Sequence, residues 1–255
     1  MEFRQPTEST PVSNQLPSVA MNFNGKYLET EIEGYRTLKV SGRETISQEL
    51  ISENTHEGTI TIDDRLPHRV ITITYELVTE DNTSFQNNFK KMRKLLTSKG
   101  EVQVTFRDEP NTVYHGQLGT MEVPPDDSNS IVSTFQIYCD NPYKQSAVVA
   151  TDGEVTIDTF YETLPERIVL NITETTNNIE VTNGIERITA TGTFNAGSEV
   201  VIKFEKEEVS MTVNDVEATY MIDLQSDLEN FKLRQGGTIT SPQGTITLEM
   251  RERWL

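Results

Sequence analysis

The stretch Arg69-Val70-Ile71-Thr72-Ile73-Thr74-Tyr75-Glu76-Leu77-Val78 decides the fold class of this 255-residue chain. Its odd positions from Ile71 to Leu77 are apolar, and its even positions from Thr72 to Glu76 are polar. A two-residue period of this kind is typical of a strand with one buried face, and β-branched Ile and Thr favour an extended backbone. The stretch therefore predicts a strand over residues 69–78 in a mainly β protein.

Alternating runs continue on both sides of the chain's midpoint. In the first half, strands are predicted at 102–106, 112–118 and 131–139, with a turn at Arg107-Asp108-Glu109-Pro110-Asn111. After residue 146, strands are predicted at 168–172, 179–182, 185–189, 200–204, 209–213, 221–224 and 245–250. Short strands at this regular spacing, separated by turns such as Asn183-Gly184, predict a β-sandwich.

One helix is predicted between Ser84 and Lys99. Its apolar stripe consists of Phe85, Phe89, Met92 and Leu96. Thr83 or Ser84 is expected to cap the first turn, and Gly100 to close the helix. The chain's only basic cluster is Lys90, Lys91, Arg93, Lys94 and Lys99. We interpret it as the solvated outer face of a packing helix rather than a phosphate site, because the surrounding protein is acidic.

Charge and composition exclude several classes of function. The chain carries 22 basic and 40 acidic residues, a net charge of −18, which argues against nucleic-acid readout and against anionic membranes as partners. No apolar run is long enough for a transmembrane helix, and we expect no secretion signal in the polar N-terminus. The single cysteine, Cys139, excludes an internal disulfide and fits synthesis in a reducing cytoplasm.

The chain is predicted to have three parts. Residues 1–20 are rich in Pro, Ser, Thr and Gln, and we interpret them as a flexible or partner-docked N-terminal arm. Regular structure is expected from residue 21 to 145. The break at Asn141-Pro142-Tyr143 predicts a boundary near Ser146, followed by a second domain over 146–255.

No catalytic, cofactor-binding or metal-binding residues are predicted. His56, His68 and His115 do not stand at zinc-ligand spacing, and Cys139 lies on an apolar face with no neighbouring base. The pairs Asp63-Asp64 and Asp126-Asp127 do not match a calcium loop. The features that remain are exposed loops, strand edges and the N-terminal arm, all of which can form contacts with other molecules. They indicate an assembly or binding protein rather than an enzyme.

Several short motifs follow one another in a characteristic order. They are Met21-Asn22-Phe23-Asn24-Gly25, Val40-Ser41-Gly42-Arg43, Leu66-Pro67-His68-Arg69-Val70-Ile71-Thr72-Ile73, the helix with Leu95-Leu96, Val104-Thr105-Phe106-Arg107-Asp108-Glu109-Pro110, Phe135-Gln136-Ile137-Tyr138-Cys139-Asp140-Asn141-Pro142-Tyr143 and Arg251-Glu252-Arg253-Trp254-Leu255. Their order and spacing resemble those of the distal tail protein (Dit) family of long-tailed phages that infect Gram-positive bacteria. The match is dense from 21 to 145 and looser beyond. Residues 1–20 precede the family's usual start.

The resemblance implies both a fold and a task. It implies an N-terminal β-barrel-like, split-sheet domain with one α-helix and a long belt loop at about 47–67, followed by a galectin-like β-sandwich. It also implies a homo-hexameric ring at the virion's tail tip, made in the host bacterial cytoplasm. The expected partners are other copies of the chain, the major tail tube protein, the tail-associated tip protein and a receptor-binding protein. Within the belt, His56, Arg65 and Pro67 are the candidate inter-subunit residues.

One alternative is a carbohydrate-binding β-sandwich protein that contributes to recognition of the host cell wall. Sugar sites usually need exposed aromatic rings, and the second half offers Tyr161, Tyr220 and Trp254. A cell-wall hydrolase is disfavoured because no catalytic constellation is visible.

Overall fold

The computed structural model describes residues 16–45, 47–125, 127–205 and 208–255. The chain divides into two compact units, one reaching Tyr143 and including Leu255, the other spanning Lys144–Trp254. Most of the predicted N-terminal arm, residues 1–15, lies outside the described residues. Within the described ranges, no helix has the length and apolar character needed to cross a membrane.

Unit 1 is built mainly from strands. Its elements are β1 (Met21–Phe23), β2 (Lys26–Tyr27), α1 (Leu28–Glu31), β3 (Tyr35–Ser41), β4 (Glu49–Thr55), β5 (Gly58–Arg65), β6 (Arg69–Val78), α2 (Asn82–Leu96), β7 (Val102–Phe106), β8 (Glu109–Met121) and β9 (Ser130–Cys139). Helix α1 is a single turn that the sequence analysis did not predict.

Seven strands of unit 1 pair in the order β2-β1-β7-β8-β9-β6-β3, and each of these pairings is antiparallel. Strand β6 has the predicted bounds, and its buried face includes Ile71, Ile73 and Leu77. It pairs with β9 along its whole length, from Arg69↔Cys139 to Val78↔Ser130. The stretch that predicts a β fold therefore lies between two partners in the sheet.

Helix α2 differs from its predicted bounds at both ends. It begins at Asn82 and ends at Leu96, and its cap is Asp81 rather than Thr83 or Ser84. The Asp81 carboxylate accepts hydrogen bonds from the Ser84 backbone N–H at 2.9 Å and from the Ser84 hydroxyl at 3.0 Å. These hydrogen bonds hold the pKa of Asp81 below its ordinary value. At the other end, the Thr97 N–H bonds the Arg93 carbonyl, so Lys99 and Gly100 lie beyond the helix. The predicted apolar stripe is confirmed: Phe85, Phe89, Met92 and Leu96 are the buried residues of α2.

Unit 2 is also made of short strands. They are β10 (Lys144–Ser146), β11 (Val149–Thr151), β12 (Arg167–Ile172), β13 (Thr176–Thr182), β14 (Arg187–Phe194), β15 (Glu199–Phe204), β16 (Val209–Val213), β17 (Val216–Glu217), β18 (Gly244–Met250) and β19 (Arg253–Trp254). Six of them pair in the order β11-β18-β12-β15-β16-β17, while β13 pairs with β14 and β10 with β19.

The core of unit 2 lies between its main sheet and the β13–β14 hairpin. Ile168 and Ile202 of the sheet belong to one buried cluster with Val181 and Ile188 of the hairpin. The predicted mainly β fold class is therefore confirmed in both units. One predicted strand is wrong: around 221–224 the chain forms a 3₁₀ turn, Thr219–Met221, and Leu224 is fully exposed.

Candidate functional site: the belt hairpin and its base

The predicted belt loop is a regular hairpin formed by β4 and β5. We call residues 49–65 the belt hairpin. Glu49 pairs with Arg65 at one end and Thr55 with Gly58 at the other, with a bulge opposite Ile51 and Ser52. Among the described residues, the two strands pair only with each other.

Every strand residue of the belt hairpin is exposed. Four of them are large and apolar: Leu50 is 62% exposed, Ile51 49%, Ile60 61% and Ile62 58%. An isolated two-stranded hairpin is marginally stable in water, and clustered exposed apolar side chains mark interaction sites. The belt hairpin therefore has the character of a surface that requires a partner.

The tip of the hairpin is the turn His56-Glu57. Gly58 follows it with φ +96°, in the left-handed region that favours glycine. The Thr55 hydroxyl donates to the Gly58 carbonyl at 3.1 Å and closes the turn. His56 thus lies at the point of the hairpin most distant from the sheet along the chain.

The base of the hairpin is tied by polar contacts. The Arg65 Nε donates to the Glu49 carboxylate at 2.6 Å, and Gln48 donates to Asp64. Both members of the Arg65–Glu49 ion pair are well exposed, so this pair adds little stability by itself.

Arg69 fastens the chain on both sides of the belt. Its side chain lies at the first position of β6 and the residue is only 5% exposed. Its Nη1 donates to the carbonyls of Arg43 at 2.5 Å and Thr45 at 3.1 Å, while its Nε donates to the Pro142 carbonyl at 2.9 Å. A buried guanidinium is tolerated only when its donors are satisfied, and here backbone oxygens satisfy them. The segment leading into β4 and the strand following β5 are therefore held together.

A second arginine anchors the same segment from its other side. Arg43 makes a two-pronged contact with Asp108, with N–O distances of 2.7 and 2.8 Å, and its guanidinium lies 4.9 Å from the ring centre of Phe106. The hydrogen bond from Arg43 lowers the pKa of the Asp108 carboxyl. Gly42, the preceding residue, has φ +91°, and a Cβ there would lie 2.1 Å from the Val70 carbonyl oxygen. The base can therefore form only with glycine at 42.

A cavity of about 220 Å³ lies at this base. Its lining includes Gly42, Thr45, Ser47, Pro67 and Arg69. His68, which also lines it, stacks on Tyr138 with ring centres 5.0 Å apart. The cavity is open and small, and it is a recess in the anchor of the hairpin.

The three predicted belt residues do not converge on one point. His56 lies at the tip, Arg65 at the last position of β5, and Pro67 between β5 and β6 in the cavity lining. Their inter-subunit role stays a prediction. The sequence analysis missed two features: the exposed isoleucines, which the β-branched run Thr59-Ile60-Thr61-Ile62 after Gly58 signals, and the anchoring role of Arg69, for which no local pattern exists.

The residue types that could serve catalysis or bind a metal are spread over the chain. Cys139 is buried in the core of unit 1, and burial raises the pKa of its thiol to about 12. Among the described residues, no group of three or more His, Cys, Asp and Glu side chains is placed to hold a metal ion. Of the acidic pairs, Asp63 and Asp64 belong to the belt hairpin, while Asp126 lies outside the described residues.

Two domain families match the sequence, one in each unit. Residues 24–138 match the phage tail protein RIFT-related domain, and residues 159–254 match the siphovirus-type tail component, C-terminal domain. Together with the two β units, the matches define the class as a two-domain tail component of long-tailed phages.

Solved structures share this fold. The crystal structure of the SPP1 Dit protein, described as a hub of the adsorption apparatus in phages infecting Gram-positive bacteria, has a TM-score of 0.75 at 19% identity, covering 92% of this chain and 99% of that one. The phage P2 baseplate in its activated conformation, with calcium or with strontium, gives a TM-score of 0.56 at 9% identity, covering 86% of this chain and 90% of that one. A comparison with curated proteins found no match.

The chain belongs to the distal tail protein family of siphophages, as its sequence motifs indicate. It is a structural component of the tail hub, or baseplate, and its place is the tail tip of the virion.

Proposed function

We propose that six copies of this chain close into a ring in which the belt hairpin of each copy clasps its neighbour. Unit 1 is the ring-forming domain, and unit 2 is an outward β-sandwich of the galectin type. The ring joins the major tail tube protein on one side to the tail-associated tip protein on the other, with a receptor-binding protein attached to this assembly. Its work is mechanical and involves no catalysis.

The observation that carries this proposal is the belt hairpin, exposed at every strand residue and anchored at its base by Arg69. A closed ring uses heterologous contacts, so each copy needs a projecting surface and a different receiving surface. Anchoring fixes the direction of the hairpin before docking, which lowers the entropy cost of association. In such a contact, His56 at the tip reaches farthest and Arg65 and Pro67 remain near the subunit of origin.

Replacement of residues 49–65 by a short Gly-Ser linker tests the ring. Light scattering and negative-stain microscopy should show rings of six for the unaltered protein and single copies for the shortened one. The control, Val123→Ser with Val216→Ser, changes two exposed positions outside the belt hairpin and should keep the ring. Rings formed by the shortened protein would contradict the proposal. So would an unaltered protein that stays single even when mixed with its tube and tip partners.

One observation favours a second function in unit 2, carbohydrate binding. Phe160 is 82% exposed and lies edge-on to Tyr161, with ring centres 4.9 Å apart. Exposed rings are what sugars stack on, and the sequence analysis did not single out Phe160. Glycan binding by the full-length protein that Phe160→Ala abolishes would support this function. Leu224→Ala, at another exposed apolar position of unit 2, is the control and should leave that binding unchanged.

A further inference from the structure

The outer face of α2 carries the strongest local positive charge in an acidic protein. Asn82–Leu96 contains Lys90, Lys91, Arg93 and Lys94 and no acidic residue, a net charge of +4. All four are exposed. The Lys91 ammonium bonds the Glu31 carbonyl, whereas Lys90, Arg93 and Lys94 form no ion pair with any other described residue. The chain as a whole has a net charge of −18, so this face stands against the general sign.

The belt hairpin has the opposite charge. Residues 49–65 contain the five acidic residues Glu49, Glu53, Glu57, Asp63 and Asp64 and the single basic residue Arg65, a net charge of −4. Glu49 is already paired with Arg65. The remaining acidic side chains form no ion pair with any described residue. Two of them accept hydrogen bonds: Asp63 from the Asp64 backbone N–H at 2.9 Å, and Asp64 from Gln48.

One face of the hairpin combines this charge with apolar surface. Ile51 and Glu53 are two residues apart in β4 and so lie on the same face. Across the strands Ile51 is opposite Asp63 and Glu53 is opposite Ile60, with the β-bulge between these two pairs placing both partners beside that face. The pairs Ile51–Asp63 and Glu53–Ile60 therefore alternate apolar and acidic groups along and across the two strands. This pattern suits the surface of a helix that presents long basic side chains, whose aliphatic stems cover apolar groups while the charged ends reach outward.

The dimensions of the two surfaces also agree. Eight residues of β5 span about 26 Å, and fifteen residues of α2 span about 22 Å. Glu53 and the Ile51–Asp63 pair are two residues apart along β4, a distance of about 7 Å. Lys90 and Lys94 are four residues apart along α2, close to one helical turn, a distance of about 6 Å. Two acidic groups on the hairpin can therefore meet two basic groups on the helix in the same register.

We propose that the belt hairpin of one copy docks on the outer face of α2 in the neighbouring copy, with Glu53 and Asp63 against Lys90 and Lys94 and with Ile51 and Ile60 against their aliphatic stems. This rests on the proposed function, in which the hairpin clasps a neighbour, and names the surface that receives it. The occupant is a second copy because the hairpin is exposed in its own chain, and charge complementarity selects α2 as the receiving face.

Charge reversal on each side, followed by mixing, tests the contact. In the first variant, Glu53→Lys with Asp63→Lys, the contact positions of the hairpin become positive and face the positive Lys90 and Lys94 of the helix. In the second variant, Lys90→Glu with Lys94→Glu, the contact positions of both surfaces are negative. Each alone should associate at least about tenfold more weakly than the unaltered protein in sedimentation at low salt, because like charges meet. An equal mixture should recover rings with the two variants alternating, since each hairpin then meets a helix of opposite charge.

The control is Lys26→Glu with Lys203→Glu, which changes the net charge equally at two exposed positions outside α2 and should keep the ring. Association of the helix variant equal to that of the control, or failure of the mixture to recover rings, would overturn the proposal. Loss of rings on removal of the hairpin, together with unaffected charge variants, would leave the clasping function standing and this docking surface refuted. Binding of duplex DNA that the helix variant loses, with ring formation unchanged, would assign α2 to a polyanion and also overturn it.

Discussion

At the scale of single residues, Arg69 is the side chain on which the geometry of the belt depends. It is one of few buried charged residues in the described chain. Its guanidinium donates hydrogen bonds to backbone carbonyls rather than to a carboxylate. Because these carbonyls belong to the segment before the belt and to Pro142, one side chain coordinates chain stretches far apart in sequence.

Replacement Arg69→Met should therefore destabilise unit 1. The methionine keeps the apolar stem but leaves the carbonyls of Arg43, Thr45 and Pro142 without their donor, a loss of about 1–3 kcal/mol in the free energy of unfolding. Urea unfolding measures this loss, and hydrogen exchange should locate the weakened amides at the base of the belt. Arg36→Met, at an exposed position of β3, is the control and should change stability by less than about 0.5 kcal/mol. An equal effect of the two substitutions would refute the anchoring role.

In unit 2, Glu186 should make stability depend on pH. Two hydrogen bonds from Arg234, each 2.6 Å, hold the pKa of Glu186 at about 2. A carboxyl whose pKa is lowered by folding contributes stability above its unfolded-state pKa of about 4.3, and this contribution is lost as the pH falls toward the folded-state value. Because Arg234 is partly exposed, solvent screening keeps the effect modest.

The expected result is that Glu186→Gln lowers stability at neutral pH and that its difference from the unaltered protein shrinks as the pH falls from about 5 to about 2. Urea unfolding over this pH range measures the difference, with Glu229→Gln at an exposed position as the control. A difference that stays constant with pH would show that the Arg234 contact does not shift the titration of Glu186.

At the scale of elements, regular alternation is the signal that sequence carries best. Strand β6 has its predicted bounds because apolar and polar residues alternate from Ile71 to Leu77, burial alternates along the whole strand, and both neighbours are strands of the same sheet. The start of α2 is less predictable, since Asp81, Thr83 and Ser84 are all competent caps and tertiary position decides among them. Around Met221 the apolar pattern predicts a strand, but backbone bonds from Met221 to Ala218 and from Ile222 to Thr219 close a 3₁₀ turn instead.

The belt hairpin shows why the candidate site is only partly predictable. Its place at about 47–67 follows from family resemblance, whereas its pairing does not follow from burial, because it has no buried face to impose alternation. Its apolar residues are exposed in the single copy. Sequence patterns that rely on one buried face therefore predict a loop here rather than a pair of strands. The residues that would cover the hairpin belong, in the proposed ring, to a neighbouring copy, so the sequence pattern of the hairpin does not identify them.

A substitution within the belt hairpin should separate association from stability. Ile51→Ser with Ile60→Ser removes apolar area that is exposed in the single copy, so the free energy of unfolding should change by less than about 0.5 kcal/mol. Ring formation should weaken because that area is buried only on association. Sedimentation measures association, and Val123→Ser with Val216→Ser, at two other exposed positions, is the matched control. Unchanged association would remove the isoleucines from the contact.

At the scale of the whole molecule, each unit has its own buried cluster. In unit 1 it is rich in aromatic rings, such as Tyr75, which stacks on Tyr35 and lies at a tilt to Phe135. In unit 2 aliphatic side chains from the sheet and the β13–β14 hairpin predominate. Separate cores of this kind are what independent domains require.

We therefore expect two unfolding transitions in calorimetry. Ile73→Ala, in the core of unit 1, should lower the free energy of unfolding of unit 1 alone by about 2–5 kcal/mol and shift only its transition. Ile202→Ala, in the core of unit 2, should have the same effect on unit 2 alone. The two substitutions serve as controls for each other. A single transition that both of them shift equally would mean that the units unfold as one.

The seclusion of Cys139 has a practical consequence for watching this protein assemble. The only sulfhydryl of the chain is shut in the interior and is held in its unreactive, protonated form, so maleimide dyes should leave the folded protein unmarked. Substitution His56→Cys would then create one accessible attachment point at the end of the projecting hairpin. Energy transfer between fluorophores placed there would report the distance between neighbouring copies as they associate into the proposed ring.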